Sequence, residues 1–248
     1  MARFALHSAV FVVLTILTQI GGIAWLGALL FRRRWLAFAV IYLGLLVSAT
    51  LLAPYFGRVQ LSCGGNSVLK VQSWIYCLTN RTYVRPELKE VLGELANAVD
   101  ARYPGTQTLV LDAGFPFFNG IPLLPHLSHD DGKKVDIAFY YQRDGAYERG
   151  AVRSPIGYFA FEQGSSNCQP TFPTLRWNFD MLQPLWGQLE LEPGRTAAAV
   201  HWLADDGRVE KIFLEPHLQD RLGLRLSKVR FQGCFAARHD DHIHIQIR

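Results

Sequence analysis

The first 56 residues contain no Asp, Glu or Lys; Arg3, Arg32, Arg33 and Arg34 are their only formal charges. Of the chain's 25 basic side chains, 21 therefore fall in the remaining sequence, against 21 acids, and the formal +4 belongs to the N-terminal segment. The rest has no basic excess to neutralise phosphates, which excludes nucleic-acid binding as its general business. Low-complexity tracts are missing, and 12% of the 248 residues are aromatic, so wholesale disorder is excluded. No period of 20–50 residues repeats, which excludes a solenoid. The four cysteines, Cys63, Cys77, Cys168 and Cys234, show no C-x-x-C spacing, so a zinc ribbon is disfavoured and a disulfide reading favoured. Among their three possible pairings, Cys63–Cys77 with Cys168–Cys234 is preferred, because the first closes a small loop and the second lies beside the last strand.

What the N-terminus does have is two uncharged stretches, Ser8–Phe31 and Trp35–Phe56, separated by the arginine triplet. A helix rises about 1.5 Å per residue and the hydrocarbon core is about 30 Å thick, so roughly 20 residues suffice to cross. Residues 1–57 thus read as a two-helix transmembrane anchor. The positive-inside rule puts the triplet in the cytoplasm and both the N-terminus and residues 58–248 outside. For a bacterial inner-membrane protein, outside means the periplasm, where disulfides persist.

Residues 58–248 read as one α+β domain, a small antiparallel sheet with flanking helices. Pro86 opens a helix with Leu88, Val91, Leu92, Leu95 and Val99 on one face, closed by Pro104-Gly105. Further helices are expected over 174–185, 195–204 and near 216–222. Strands are expected over 108–111, 135–141, 209–214 and at the end of the chain, with a Gly-, Pro- and Phe-rich loop over 112–125. His242-Ile-His-Ile-Gln-Ile-Arg248 alternates polar and apolar residues strictly.

Five of the eight histidines fall in two clusters, His126-Leu-Ser-His129-Asp130-Asp131-Gly132-Lys-Lys-Val-Asp136 and His239-Asp240-Asp241-His242-Ile-His244. Residues i and i+2 of a strand share a face, so His242 and His244 project together while the isoleucines pack the other way. Asp136 opposes Val135 and Ile137 on its own strand. If the two polar faces meet across a sheet, His129 completes a three-ligand site with Asp136 and the imidazoles, a donor set that suits zinc.

These residues resemble the penicillin-insensitive murein endopeptidases, which belong with the D-alanyl-D-alanine peptidases to a group of zinc peptidases of Hedgehog-like fold. The likeness rests on His126-x-x-His129-x-x-Gly132-x-x-x-Asp136 followed by His239-x-x-His242-x-His244. It covers about 109–136 and 209–248; the membrane segment and the stretch 141–178 depart from it. The resemblance implies His129, Asp136 and His244 as Zn2+ ligands. It implies His239 and His242 as acid/base and charge-stabilising residues, with His126 beside the metal or as a second base. It further implies a peptidase that takes peptidoglycan peptides as substrate and hydrolyses their cross-links; the membrane anchor is the reading of the apolar N-terminal stretches alone. Two other readings are a D,D-carboxypeptidase on stem peptides and a Hedgehog-like module that holds metal without turnover.

The remaining candidates read as structural. Asp130, Asp131, Asp240 and Asp241 read as solvated turn carboxylates, and His201 and His217 as ordinary helix residues. Trp177, Trp186 and Trp202 read as core. Ser165-Ser166 lacks a nucleophile-elbow context, and Asn80-Arg-Thr82 is a glycosylation sequon of high chance frequency.

Overall fold

A computed structural model describes residues 1–124, 126–166, 168–169 and 172–248. Pro125, the last residue of the expected 112–125 loop, lies outside them. The helices are α1 (Ala2–Thr18), α2 (Gly21–Ala28), α3 (Arg34–Leu52), α4 (Trp74–Leu78), α5 (Pro86–Arg102), α6 (Pro193–Asp205) and α7 (Pro216–Arg221). The strands are β1 (Val59–Gln60), β2 (Leu69–Val71), β3 (Tyr83–Val84), β4 (Thr108–Val110), β5 (Lys134–Ala138) and β6 (Tyr141–Arg143), then β7 (Ala146–Tyr147), β8 (Glu190–Leu191), β9 (Val209–Phe213), β10 (Val229–Arg230) and β11 (His242–Ile247).

The chain is mixed α and β, and its centre is a six-stranded sheet of order β10-β9-β11-β5-β4-β2. The four middle strands run antiparallel, as expected, but both edge strands pair parallel, β10 with β9 and β2 with β4. Helix α5 opens on Pro86, carries Glu87 in its first turn and Arg102 in its last, and buries Leu88, Val91, Leu92, Leu95, Ala96 and Val99. Proline at the first position and charges that oppose the helix dipole both favour these ends. Together with α6, which buries Thr196, Ala199, Val200 and Leu203, it joins a core with Val135, Ile137, Ile243 and Ile245. The helix expected over 174–185 is not formed; only a 3-10 turn, Gln183–Leu185, appears there. Pro173 and Pro184 restrict that segment at both ends.

Both disulfides follow the preferred pairing: Cys63–Cys77 and Cys168–Cys234. They span 14 and 66 residues of sequence. Loops of such size, once closed, stabilise a fold by about 3–4 kcal/mol each in the chain-entropy account.

The expected two-helix anchor is corrected. One helical stretch, Arg34–Phe56, formed by α3 and the 3-10 turn that continues it, is long and apolar enough to cross a membrane. The first stretch breaks at Gln19, whose φ is 66°. Thr18 turns its hydroxyl back onto the Leu14 carbonyl and also accepts the Gly21 N–H, so the helix ends there. Gly21 and Gly22 have no Cβ to collide with Thr18, Thr15 and Phe11, and α2 folds back along α1 until Trp25 meets His7. Eight residues of α2 rise only about 12 Å. The expectation of an outside N-terminus, which needs a continuous first span, loses its basis. The apolar N-terminal helix and the two disulfides together are consistent with an extracytoplasmic domain.

Gly132 shows why the first histidine cluster contains a glycine. Its φ is 72°, and a Cβ there would stand 2.5 Å from Arg58 Nε and 2.7 Å from Cζ. Arg58 is itself buried, which leaves the guanidinium little room to retreat. Gly132→Ala should destabilise the chain by about 1–3 kcal/mol. A lowered urea midpoint for the detergent-solubilised protein is the expected reading; an unchanged midpoint contradicts it.

Candidate metal centre

The site is built where β5 and β11 pair. The register sets His244 directly opposite Asp136, and His242 opposite Ala138. Alternation then puts both imidazoles and the carboxylate on one face, while Val135, Ile137, Ile243 and Ile245 enter the core from the other. His129 arrives from the loop before β5. Its Nδ1 lies 2.9 Å from the Ala113 carbonyl oxygen, a contact that requires the proton on Nδ1 and leaves a lone pair on Nε2. That Nε2 lies 3.1 Å from His244 Nδ1 and 3.3 Å from Asp136 Oδ1, and His244 Nδ1 lies 2.8 Å from the same oxygen.

His129, Asp136 and His244 are all buried, and their donor atoms fall within 4.8 Å of one another. A tetrahedral zinc with bonds of about 2.0–2.1 Å has ligand–ligand edges of about 3.3 Å, close to the separations found. This trio could hold a metal ion. Two further groups share its members: His126 with Asp136 and His242, and His239 with His242 and His244. All six residues expected from sequence to form the site are therefore brought together.

Support comes from Tyr158, Asp112 and Glu215, which the sequence did not single out, and from Asp241, which it read as a turn carboxylate. Tyr158 donates to Asp136 Oδ2 at 2.6 Å, accepts the Asp112 N–H, and sets its ring against His126 and His242. Asp112, held by both arms of Arg81, lies 3.7 Å from His126 Nδ1, which itself approaches Asp136 Oδ2 at 2.8 Å. Asp241 takes His242 Nδ1 at 2.5 Å on one oxygen and the Phe159 N–H at 2.6 Å on the other. Asp240 and Asp241 are buried, which corrects their expected place as solvated turn carboxylates, whereas Asp130 and Asp131 stay partly exposed beside Lys134. Glu215, bound by both arms of Arg176, accepts the His239 N–H and fixes the backbone just before β11.

Charge follows from these contacts. Burial works against the Asp136 carboxylate, but His129, His242 and His126 around it hold it well below the usual carboxylate range. Burial likewise opposes protonation of His126, yet Asp136 and Asp112 outweigh it and push the imidazole up to about 10. His242 is raised, its burial outweighed by Asp136 and Asp241. His239 and His244 go the other way. Burial and the neighbouring imidazoles depress His239 well below its ordinary value, and burial brings His244 down to about 4 despite Asp136. Neutral imidazole is the form that ligates a metal.

A small cavity bordered by His126, Tyr158, Trp177, Arg238 and His242 reaches the cluster. Trp177 is 48% exposed at its rim, which corrects the expectation that this tryptophan is core. Trp186 is part-buried and donates its indole N–H to the Phe159 carbonyl, and Trp202 packs against the core. A larger hollow bordered by Arg153, Glu162, Asn178 and Trp186 contains none of the histidines. Convergence of donors marks the site, and hollow size does not. His201 is exposed on α6, and His217 is largely buried on α7, outside the cluster. Compared with known proteins, the chain matches no protein-family model and no curated protein.

Removal of single donors separates the overlapping groups. With the ion held by His129, Asp136 and His244, alanine at any of the three should lower metal content, whereas His239→Ala should keep it. Elemental analysis of the purified variants makes the test. Metal lost on His239→Ala and kept on His129→Ala would move the ion to the His239, His242 and His244 group.

Proposed function

We propose that this chain is a zinc peptidase anchored in the bacterial inner membrane, with a Hedgehog-like periplasmic domain that hydrolyses peptide cross-links of peptidoglycan. The observation that carries the reading is the joining of a compact N,N,O donor set to a histidine–aspartate pair at the mouth of a cavity. His129, Asp136 and His244 would hold the ion. The chemistry zinc supplies when bound is Lewis acidity at a peptide carbonyl and activation of water near neutral pH.

The chain's own residues supply the rest. Asp241 holds the proton of His242 on Nδ1, so Nε2 is the atom at which a proton is taken up and released. That Nε2 is buried, has no hydrogen-bond partner and lies 3.5 Å from Asp136 Oδ1, so a proton it exchanges is exchanged beside the ion's ligand. His239 stands beside it, with ring centroids 5.0 Å apart, and in its neutral form can accept a proton or donate its N–H to a developing oxyanion. His126 lies between Asp136 and Asp112, which favour its protonated form and so positive potential on the same side. Trp177 at the rim offers an aromatic wall for the peptide flanking the scissile bond, while Arg238 beside it is held by Asp240 and Asn178. Arg32, Arg33 and Arg34 at the start of α3 keep that end in the cytoplasm and send the domain outward.

Purified murein should be cleaved by the full-length protein, cleavage should stop on chelation, and zinc should restore it. Mass analysis of the fragments then separates cut cross-links from a shortened stem end, the carboxypeptidase outcome. Metal binding without any fragment would leave a binding module and refute the peptidase reading.

Asp241→Asn gives a finer test. Loss of the acceptor on His242 Nδ1 should lower turnover about 10–100-fold while zinc content stays, because Asp241 touches the imidazole and none of the three ligands. Unchanged turnover would remove His242 from the proton-transfer role.

A further inference from the structure

The domain is not strung from its membrane helix by a tether; it lies along it. Tyr42, on α3, donates its hydroxyl to the Leu78 carbonyl at the end of α4 at 2.5 Å. Near the top of the same helix, Thr50 meets Gln60 and the Tyr83 hydroxyl. At about 1.5 Å per residue, Tyr42 stands roughly 12 Å from Arg34 and roughly 21 Å from Phe56. If Arg34 lies at the inner headgroups and Phe56 at the outer, Tyr42 falls inside a hydrocarbon layer about 30 Å thick. The Leu78 carbonyl bound to it lies there too.

The composition of α4 suits that depth. Trp74, Ile75 and Leu78, at i, i+1 and i+4 on one face, are 68%, 38% and 41% exposed. No charged residue occurs from Val71 to Asn80 or from Trp35 to Gly57. The arginines that end the two stretches turn inward, Arg58 buried and Arg81 onto Asp112. Leu36, Val40, Leu43, Val47 and Leu51 form an exposed apolar stripe along α3.

The carbonyls at the C-terminal end of α4 are also paired within the protein. A helix C-terminus leaves carbonyls that normally bond to solvent, and each one unpaired in hydrocarbon costs several kcal/mol. Here the Ile75 carbonyl accepts from Thr79, Tyr76 from Arg81 N–H, Cys77 from Asn80 N–H, and Leu78 from the Tyr42 hydroxyl. An exposed one-turn helix in water has no use for such complete pairing.

We propose that the Trp74–Ile75–Leu78 face of α4 is immersed among the acyl chains of the bilayer beside α3, so that part of the outer domain is sunk into the membrane. The proposal rests on the reading that α3 crosses the bilayer. Its occupant is lipid hydrocarbon, chosen over a protein partner because the face lies beside the crossing helix.

Nitroxide labels on full-length protein in lipid nanodiscs test it, since the four native cysteines are paired and only an introduced thiol reacts. Ile75→Cys should give a label relaxed by oxygen and shielded from a water-soluble nickel complex, as should Val47→Cys on the α3 stripe. Glu90→Cys on the outer face of α5 should be open to nickel. A nickel-accessible label at 75 with a shielded one at 47 overturns the immersion alone; nickel access at both overturns the crossing helix and the immersion together. Hydroxyl-radical footprinting of the unmodified protein gives the same answer without a variant. Trp74 should escape oxidation in nanodiscs while Met181, 83% exposed, is oxidised. Equal oxidation of the two refutes the proposal.

Discussion

The pairing of β5 with β11 does two things through one register. It sets His244 across from Asp136, and it sends Val135, Ile137, Ile243 and Ile245 into the core beneath α5 and α6. A slip of one residue would exchange the two faces. Four aliphatic side chains at about 1.5–3 kcal/mol of burial each amount to as much as the whole stability of an ordinary domain. The hydrophobic face therefore fixes the positions of the polar one. The donors of the site are held at hydrogen-bonding distances by side chains that never touch them, and the cost of gathering so many ionisable groups is offset on the far side of the sheet.

That gathering has an ordered arrangement of charge. Asp136 is a fully buried carboxylate whose neighbours include four imidazoles and one phenol, His126, His129, His242, His244 and Tyr158. Around it stand carboxylates that face outward to cations of their own: Asp112 to Arg81, Asp240 to Arg238, and Glu215 to Arg176. Buried charge is tolerable only when paired and hydrogen-bonded, and every acid here is. The outer pairs hold the loops that bear His126 and His239 and leave Asp136 as the single negative centre of the donor set. His129 Nε2, His244 Nδ1 and Asp136 Oδ1 converge there on a point that could hold a cation.

Much of this was legible in the sequence because period-two alternation and apolar helix faces report burial directly. His242-x-His244 and Asp136 lay on polar strand faces, and these three converge with His129 as their spacing implied, while His126 and His239, placed by the family resemblance, join them. The supporting groups were illegible for a physical reason. Tyr158, Trp177 and Arg176 come from the irregular stretch between β7 and β8, where no periodicity tells in from out, and Asp241 differs from a surface turn residue only by what folds over it. The edge strands were missed as well, because two or three residues carry too little pattern to show whether they run parallel.

The break in the first apolar stretch was the least legible feature, since 24 uncharged residues satisfy any length criterion for a span. What the length conceals is the use made of the polar residues at its middle. Gln19 accepts the Phe117 N–H at 3.0 Å and reaches the Phe118 carbonyl at 3.5 Å, while the Thr18 carbonyl accepts from Asn80. At the helix end Gln19 thus finds two backbone groups for its side-chain amide. Those groups belong to the loop that leaves β4, passes the buried ion pair of Asp112 and Arg81, and reaches His126 eight residues after Phe118. Asn119, next in that loop, takes the guanidinium of Arg58, which in turn fills the space beside Gly132. Helix break, loop and histidine cluster are thus one connected stack of hydrogen bonds and close contacts, and the turn between α1 and α2 forms the floor on which the first half of the candidate metal centre is laid.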